Sequence, residues 1–214
     1  MTKKLVEGFE HFRKYQYEDE SALMPKLIEE GQSPRYFMIS CIDSRSNPGV
    51  IFRTKPGAFF SHKAMGAIVR PYKKGTALAA ALQFALEYND IKIIVVLGHT
   101  QCGAISALVN DIEDEEIKSF VSVAKSAQAK AEACCSNHGD LLKRTEQETV
   151  LESAENLKSY PSVAKALEEG RVVIKPWIFD MAAGDILEYN FKTEEFEVIT
   201  PHEAIDDSRH AKSA

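Results

Sequence analysis

The sequence predicts an α/β fold in which a mainly parallel central sheet is flanked by helices. Three apolar runs, at residues 35–41, 91–97 and 171–179, are rich in β-branched and aromatic residues, which indicates buried strands. Helical patterns separate these runs, and alternation of strand and helix is typical of a parallel sheet. No linker or repeat divides the chain, so we expect one domain over residues 1–214.

The N-terminal region predicts two amphipathic helices. Apolar residues recur at helical spacing between positions 4 and 31, and Leu5, Phe9 and Phe12 share one face. We expect residues 1–34 to form a helical arm that extends to a partner subunit.

The remaining elements alternate along the chain until its last third. They are a strand over 35–41, a second strand over 58–63, a Gly-containing loop over 65–69, a helix over 75–88, a strand over 91–97 and a helix from Cys102 to Leu108. Helices follow over 112–160, with a break at 137–139, and over 163–167. A strand over 171–179 and edge strands over 186–191 and 195–199 complete the pattern. The tail, residues 200–214, is polar and is expected to be mobile.

Composition excludes several functional classes. The chain has 214 residues, 44% of them hydrophobic, and its net charge of -6 comes without a Lys/Arg-rich block, so nucleic acid is not an expected partner. No run approaches the roughly 20 apolar residues of a membrane span, and no secretory signal begins the sequence. We expect a cytoplasmic location, or an organelle if a transit peptide has been removed.

Two thiols and one imidazole follow predicted strands. Cys41 ends the first strand, and His99 and Cys102 follow the strand over 91–97. The carboxyl ends of parallel strands lie at one edge of a sheet, so we expect these side chains to converge. Thiolate and imidazole suit zinc, and three such ligands leave a position for water. The sequence therefore predicts one Zn²⁺ per chain in a site for hydrolytic or hydration chemistry.

A closed structural zinc site is the alternative interpretation. It requires a fourth ligand, which only Cys134, Cys135, His62 or His138 could supply. Cys134 and Cys135 end an Ala-rich helical pattern and are interpreted as small packing residues, with a second metal or redox site including His138 as the alternative. Neighbouring helical residues point about 100° apart, which argues against joint ligation.

Asp43 and Arg45 are predicted to pair beside the metal, because alternate residues of an extended chain face the same side. Arg45 would hold Asp43 as a hydrogen-bond acceptor for metal-bound water; otherwise Asp43 could turn onto zinc as a fourth ligand in a closed state. The helix N-terminus favours a thiolate at Cys102, and Gly103 would leave room for close backbone approach.

These motifs resemble the β-class carbonic anhydrases. The likeness includes Cys41-Ile-Asp-Ser-Arg45 and His99-Thr-Gln-Cys102-Gly103, and it covers roughly residues 35–190. The resemblance implies that Cys41, His99 and Cys102 ligate zinc and that Asp43 and Arg45 form the catalytic dyad. It also implies a dimer, often paired into a tetramer. The implied reaction is the reversible hydration of CO2 to bicarbonate and a proton by zinc-bound hydroxide.

The expected substrate pocket departs from the family pattern. Phe59, Met65, Gly66 and Ile68 are expected to line it, from either subunit. Family members commonly carry Arg and two Asn in this region, where this chain has Lys63, Ala64 and Ala67. Lys cannot reproduce the planar two-pronged contact of Arg. The change motivates one alternative, a hydrolase of carbonyl sulfide or carbon disulfide on the same site. A separate alternative is a non-catalytic zinc-binding scaffold that has kept the metal motifs but lost turnover.

An allosteric bicarbonate site is not expected. Regulated members of the family carry a Trp just before the first zinc cysteine, and this chain has Met38 there.

Overall fold

The computed structural model describes residues 2–19 and 21–199. Its sheet has six strands in the order β2-β1-β3-β4-β5-β6. The strands are β1 (Tyr36–Cys41), β2 (Phe59–Ala64), β3 (Ile93–His99), β4 (Val173–Asp180), β5 (Asp185–Asn190) and β6 (Glu195–Val198). The predicted tail, residues 200–214, lies outside the described residues.

Helices connect the strands and cover the sheet. They are α1 (Lys3–Arg13), α2 (Leu23–Glu29), α3 (Pro48–Ile51), α4 (Ala77–Glu87), α5 (Gly103–Val109), α6 (Glu115–Val121), α7 (Lys125–Glu132), α8 (His138–Leu157) and α9 (Pro161–Glu168). A π-helical turn, Lys14–Glu18, follows α1, and short 3-10 turns lie at Ser44–Ser46, Met65–Ala67 and Ser122–Ala124. Within the described chain, no helix combines the length and apolarity needed to cross a bilayer.

Pairing in the sheet confirms the predicted fold class. β2, β1, β3 and β4 pair in parallel, whereas β5 and β6 add an antiparallel edge. Cys41 lies opposite Ala64, and Ser40 lies opposite Leu97. The register therefore brings the carboxyl ends of β1 and β3 to the same edge of the sheet.

The core lies on both faces of β3, whose residues from Ile94 to His99 are all buried. On one face, Ile94 and Val96 join a large apolar cluster that includes residues of α4, α8 and α9. Gly98 permits this packing, because a Cβ there would collide with Val150 of α8. Helix α8 is thereby held directly behind the end of β3.

The first helix presents an apolar face that other described residues leave open. Leu5 is 76% exposed and Phe9 is 59% exposed, although both lie on the predicted apolar stripe of α1. Large apolar side chains in this state are typical of a surface that binds another protein chain.

Candidate metal centre

Cys41, His99 and Cys102 converge at the carboxyl edge of the sheet. Cys41 is the last residue of β1, His99 is the last residue of β3, and Cys102 is the N-cap of α5. One ligand atom from each of the three lies within 4.8 Å of the others, and all three residues are buried. The group is therefore compact enough to surround a single ion.

The orientation of His99 suits a metal ligand. Its Nδ1 lies 2.9 Å from the carbonyl oxygen of Thr100, which can only accept, so Nδ1 carries the proton. Its Nε2 is buried and has no hydrogen-bond partner among the described residues. A buried nitrogen lone pair without a partner, on a ring fixed through the other nitrogen, is the arrangement found at metal-binding histidines.

The sulfur of Cys41 is prepared to carry negative charge. The backbone N–H groups of Gly66 and Asp43 donate to Sγ at 3.3 and 3.5 Å. A hydrogen bond from Cys102 is the largest cause that lowers the pKa of Cys41, and the two backbone N–H groups add to it against the opposing effect of burial. The pKa of Cys102 is raised because its proton is held by Cys41 and because it is buried. A metal ion would replace that shared proton.

Asp43 and Arg45 form a two-point contact beside these sulfurs. Nε of Arg45 donates to Oδ1 of Asp43 at 3.1 Å, and Nη2 donates to Oδ2 at 2.8 Å. Oδ1 also accepts the backbone N–H of Arg45 at 2.8 Å and caps the 3-10 turn Ser44–Ser46. The expectation of an extended chain here is wrong, since a tight turn brings the side chains together. The carboxylate is directed to Arg45 and is outside the Cys–His–Cys group.

Lys63 supports the backbone of this turn. Its ammonium donates to the carbonyl of Cys41 at 2.8 Å and to the carbonyl of Ser46 at 3.2 Å. These carbonyls flank the segment that carries Asp43 and Arg45. Lys63 therefore joins the end of β1 to the end of the turn.

The predicted pocket residues divide into two groups. Met65 and Ile68 pack in the apolar cluster that contains Cys41 and Cys102, and Gly66 donates to Cys41. Phe59 begins β2 opposite Tyr36 and packs against the cluster of Met38 on the sheet. It precedes Ala64, the partner of Cys41, by five positions, or roughly 16 Å along a strand. Within one chain, Phe59 is thus not brought to the site.

The candidate fourth ligands do not join the group. Among residues 2–19 and 21–199, no fourth Cys or His belongs to the group of Cys41, His99 and Cys102. The geometry of Cys134 and Cys135 also differs from the expected one. Cys134 and Cys135 lie beyond the last residue of α7, and their sulfurs are only 3.5 Å apart, so the helical-angle argument does not apply. A Cβ at Gly103 would meet no described atom within 4 Å beyond its chain neighbours and its own helix backbone, so this position is open in the described structure.

Glu146 is a neighbour of the site that the sequence interpretation missed. Its side chain lies on α8, is only 5% exposed, and accepts the N–H of Cys102 at 2.8 Å. Burial raises the pKa of this carboxyl to about 6, against the opposing effect of the Cys102 hydrogen bond. Its helical spacing could have indicated this burial, because Glu146 shares a helical face with the buried Thr149, Val150 and Ser153. A cleft of about 570 Å³ opens beside it and Cys102.

The fold and the site define an α/β protein with a buried Cys–His–Cys group, which could hold a metal ion, at the carboxyl edge of parallel strands. The family model described as carbonic anhydrase matches residues 36–186. The chain belongs to the β-class carbonic anhydrase family, as the motif resemblance indicated, and membership implies CO2 hydration.

Similar proteins are named carbonic anhydrases. The carbonic anhydrase of Synechococcus elongatus is 31% identical over 87% of this chain and 71% of its own length. Carbonic anhydrase 1 of Escherichia coli O157:H7 is also 31% identical, over 91% of this chain and 90% of its own. The solved structure of the β-carbonic anhydrase CcaA superposes with a TM-score of 0.85 at 26% identity and covers 93% of this chain and 92% of that one.

Proposed function

We propose that this protein catalyses the reversible hydration of CO2 to bicarbonate and a proton with one Zn²⁺ held by Cys41, His99 and Cys102. One observation carries the proposal: the three donors lie within 4.8 Å of one another, and the buried Nε2 of His99 has no partner in the described structure. Two sulfurs and one imidazole are the donors that zinc prefers.

The donor set determines what the metal contributes. Zinc bound by three protein ligands would act as a Lewis acid and lower the pKa of water in its fourth position toward about 7. Cys41 and Cys102 supply the negative charge that holds the cation, and the fixed ring of His99 supplies a neutral nitrogen. The chain thus provides ligands from three separate points of the fold.

The proposed role of Asp43 is to orient the water that reacts with CO2. Arg45 lowers the pKa of Asp43 well below its usual range, chiefly through their side-chain hydrogen bond, so the carboxylate is ionised at neutral pH and can only accept. The two-point contact also restrains the carboxylate from turning toward the sulfurs. An oriented acceptor beside the metal would hold one proton of the water and leave its oxygen lone pair free for attack.

The apolar residues near the sulfurs suit a small apolar substrate. Met65 and Ile68 pack on the same apolar cluster as Cys41 and Cys102. We propose that these residues, with Gly66, contact CO2, and that Phe59 reaches a site only from the partner subunit. The exposed apolar face of α1 supports a homo-oligomer in which residues 1–34 form an arm on that partner.

Relatives of similar fold support assembly as a dimer or tetramer. One solved chain, from a structure described as two tetrameric β-carbonic anhydrases of Sordaria macrospora, shares this fold with a TM-score of 0.74 at 23% identity. We further propose that residues 1–214 act as one domain in the cytoplasm.

A stopped-flow CO2 hydration assay with metal analysis of the same preparation tests the proposal. We expect about one zinc per chain and catalysis that is lost on chelation and restored by Zn²⁺. Assays with carbonyl sulfide and carbon disulfide are run in parallel. Rapid release of sulfide with negligible CO2 hydration would replace the proposed reaction, and full zinc loading without any activity would indicate a scaffold.

A further inference from the structure

Cys134 and Cys135 form a pair of thiols outside the metal centre. They lie between the last residue of α7, Glu132, and the first residue of α8, His138. Their sulfur atoms are 3.5 Å apart, Cys134 is exposed, and Cys135 is half-buried. The pair is therefore accessible in this chain, and both sulfurs are available to one ligand.

Backbone hydrogen bonds fix the turn that holds the pair. The carbonyl of Ala131 accepts the N–H of Cys134 at 3.1 Å and the N–H of Cys135 at 3.0 Å. The Sγ of Cys134 also lies 3.4 Å from this oxygen. Because both residues are bonded to a single carbonyl, the main chain of the turn is already ordered, so less backbone freedom is lost on binding than in an open chain.

The spacing of the sulfurs favours chelation over disulfide formation. Successive Cα atoms are about 3.8 Å apart, shorter than the roughly 4.4–6.8 Å that disulfides normally span. Two sulfurs at about 2.3 Å from a tetrahedral cation lie roughly 3.8 Å from each other. The observed 3.5 Å is close to that separation without a change of backbone.

The charges around the pair are compatible with a cation. The carboxylate of Asp140 and the guanidinium of Arg144 both act on Cys135. The pKa of Cys135 is raised, first by burial and then by its hydrogen bond with Cys134 and by the charges of Cys134 and Asp140. A bound cation would reverse this effect, because it stabilises both thiolates.

We propose that Cys134 and Cys135 form a second site, a two-sulfur chelate for one soft thiophilic divalent cation, separate from the Cys–His–Cys centre. On binding, each S–H bond breaks and its proton passes to solvent, while two metal–sulfur bonds form without any change of oxidation state. Solvent completes the coordination, since the pair is at the surface. Thiolates select soft cations over the hard cations that prefer oxygen.

Cadmium binding to the zinc-loaded full chain tests the proposal. The protein is dialysed against increasing Cd²⁺, and both metals are then counted per chain. We expect one Cd²⁺ to bind with the zinc count unchanged. Cys134→Ser and Cys135→Ser should each weaken this binding at least about tenfold, because either change removes the intramolecular second sulfur. Ser136→Ala, next in the chain, is the matched control and should bind like the parent.

Three results would overturn the proposal. In the first, Cd²⁺ enters only as zinc leaves, which would assign all binding to the Cys–His–Cys centre. In the second, either single variant binds as tightly as the parent, which would show that the two sulfurs do not act together. In the third, mass spectrometry of the untreated protein finds the two cysteines joined in a disulfide.

Discussion

Arg45 holds Asp43 through two parallel contacts, with Nε 3.1 Å from Oδ1 and Nη2 2.8 Å from Oδ2. The contact directs the carboxylate to Arg45, and Asp43 follows Cys41, the last residue of β1, by only two positions. An ion pair at a protein surface ordinarily contributes little to stability. This ion pair lies beside Cys41, and we propose that it has a role in the reaction. By holding Asp43, Arg45 would keep the fourth coordination position of the zinc available to water.

Replacing Asp43 by Asn tests that role. The amide keeps the size of the side chain but loses the charge that Arg45 binds, and it can present an N–H where the proposed reaction needs an acceptor. We expect kcat for CO2 hydration to fall about 10²–10⁴-fold, the range typical of a lost acid–base group, with one zinc per chain retained. Stopped-flow kinetics measure kcat, and metal analysis measures the zinc content per chain. Activity within twofold of the parent would remove Asp43 from the mechanism.

Replacing Lys63 by Met tests the support beneath the dyad. The change removes an ammonium that binds the carbonyls of Cys41 and Ser46. We expect the free energy of unfolding to fall by about 1–2 kcal/mol and zinc affinity to fall about 10–100-fold, as for other groups that orient metal ligands. Denaturant titration and competition with a chelator give the two values. Lys55→Met, on the loop before β2, is the control, and an equal effect there would contradict the assignment.

The pH dependence of stability in the zinc-free protein tests the burial of Glu146. Its pKa rises from 4.5 to about 6 on folding. The folded state therefore binds more protons than the unfolded state between these values, and the free energy of unfolding decreases as pH rises through them. The loss is about 2 kcal/mol and is complete roughly one pH unit above the folded-state pKa, at about pH 7. Glu146→Gln keeps an acceptor for the N–H of Cys102 but does not titrate, so the unfolding free energy of this variant should lack the decrease. Parallel pH profiles of the unfolding free energy in the parent and the variant would contradict the prediction.

Replacing Gly98 by Ala tests how closely α8 packs behind His99. A Cβ at this position would meet Val150 and Ile178 of the core. We expect the free energy of unfolding to fall by about 1–3 kcal/mol from overpacking, measured by denaturant titration. Gly103→Ala is the matched control, because a Cβ there meets no described atom within 4 Å. A loss as large at Gly103 would show that general helix or loop effects, and not the core contact, are responsible.

Much of the fold could be predicted because its strands carry strong patterns. β1 and β3 are continuous apolar runs, and Cys41 and His99 are the last residues of those strands. Parallel pairing at the same register is then enough to bring both side chains to one edge. The fold class and the convergence of Cys41, His99 and Cys102 follow from these local signals.

Details that depend on turns and distant packing could not be predicted in the same way. Asp43 and Arg45 pair through a side-chain-capped turn, which the sequence pattern did not distinguish from an extended chain. Glu146 is separated from Cys102 by 44 positions, and only the placement of α8 brings them together. The separation of Cys134 and Cys135 depends on where α7 ends, and helix ends are the least certain part of any pattern.

X-ray absorption at the zinc edge of the loaded protein measures the proposed ligand set most directly. The structure and the proposed function together predict two sulfurs at about 2.3 Å, one imidazole nitrogen at about 2.0–2.1 Å, and one oxygen from solvent. Cys41→Ser and Cys102→Ser should each remove one sulfur from the spectrum. A shell of four Cys or His donors without oxygen, or a spectrum that neither substitution changes, would contradict the central claim.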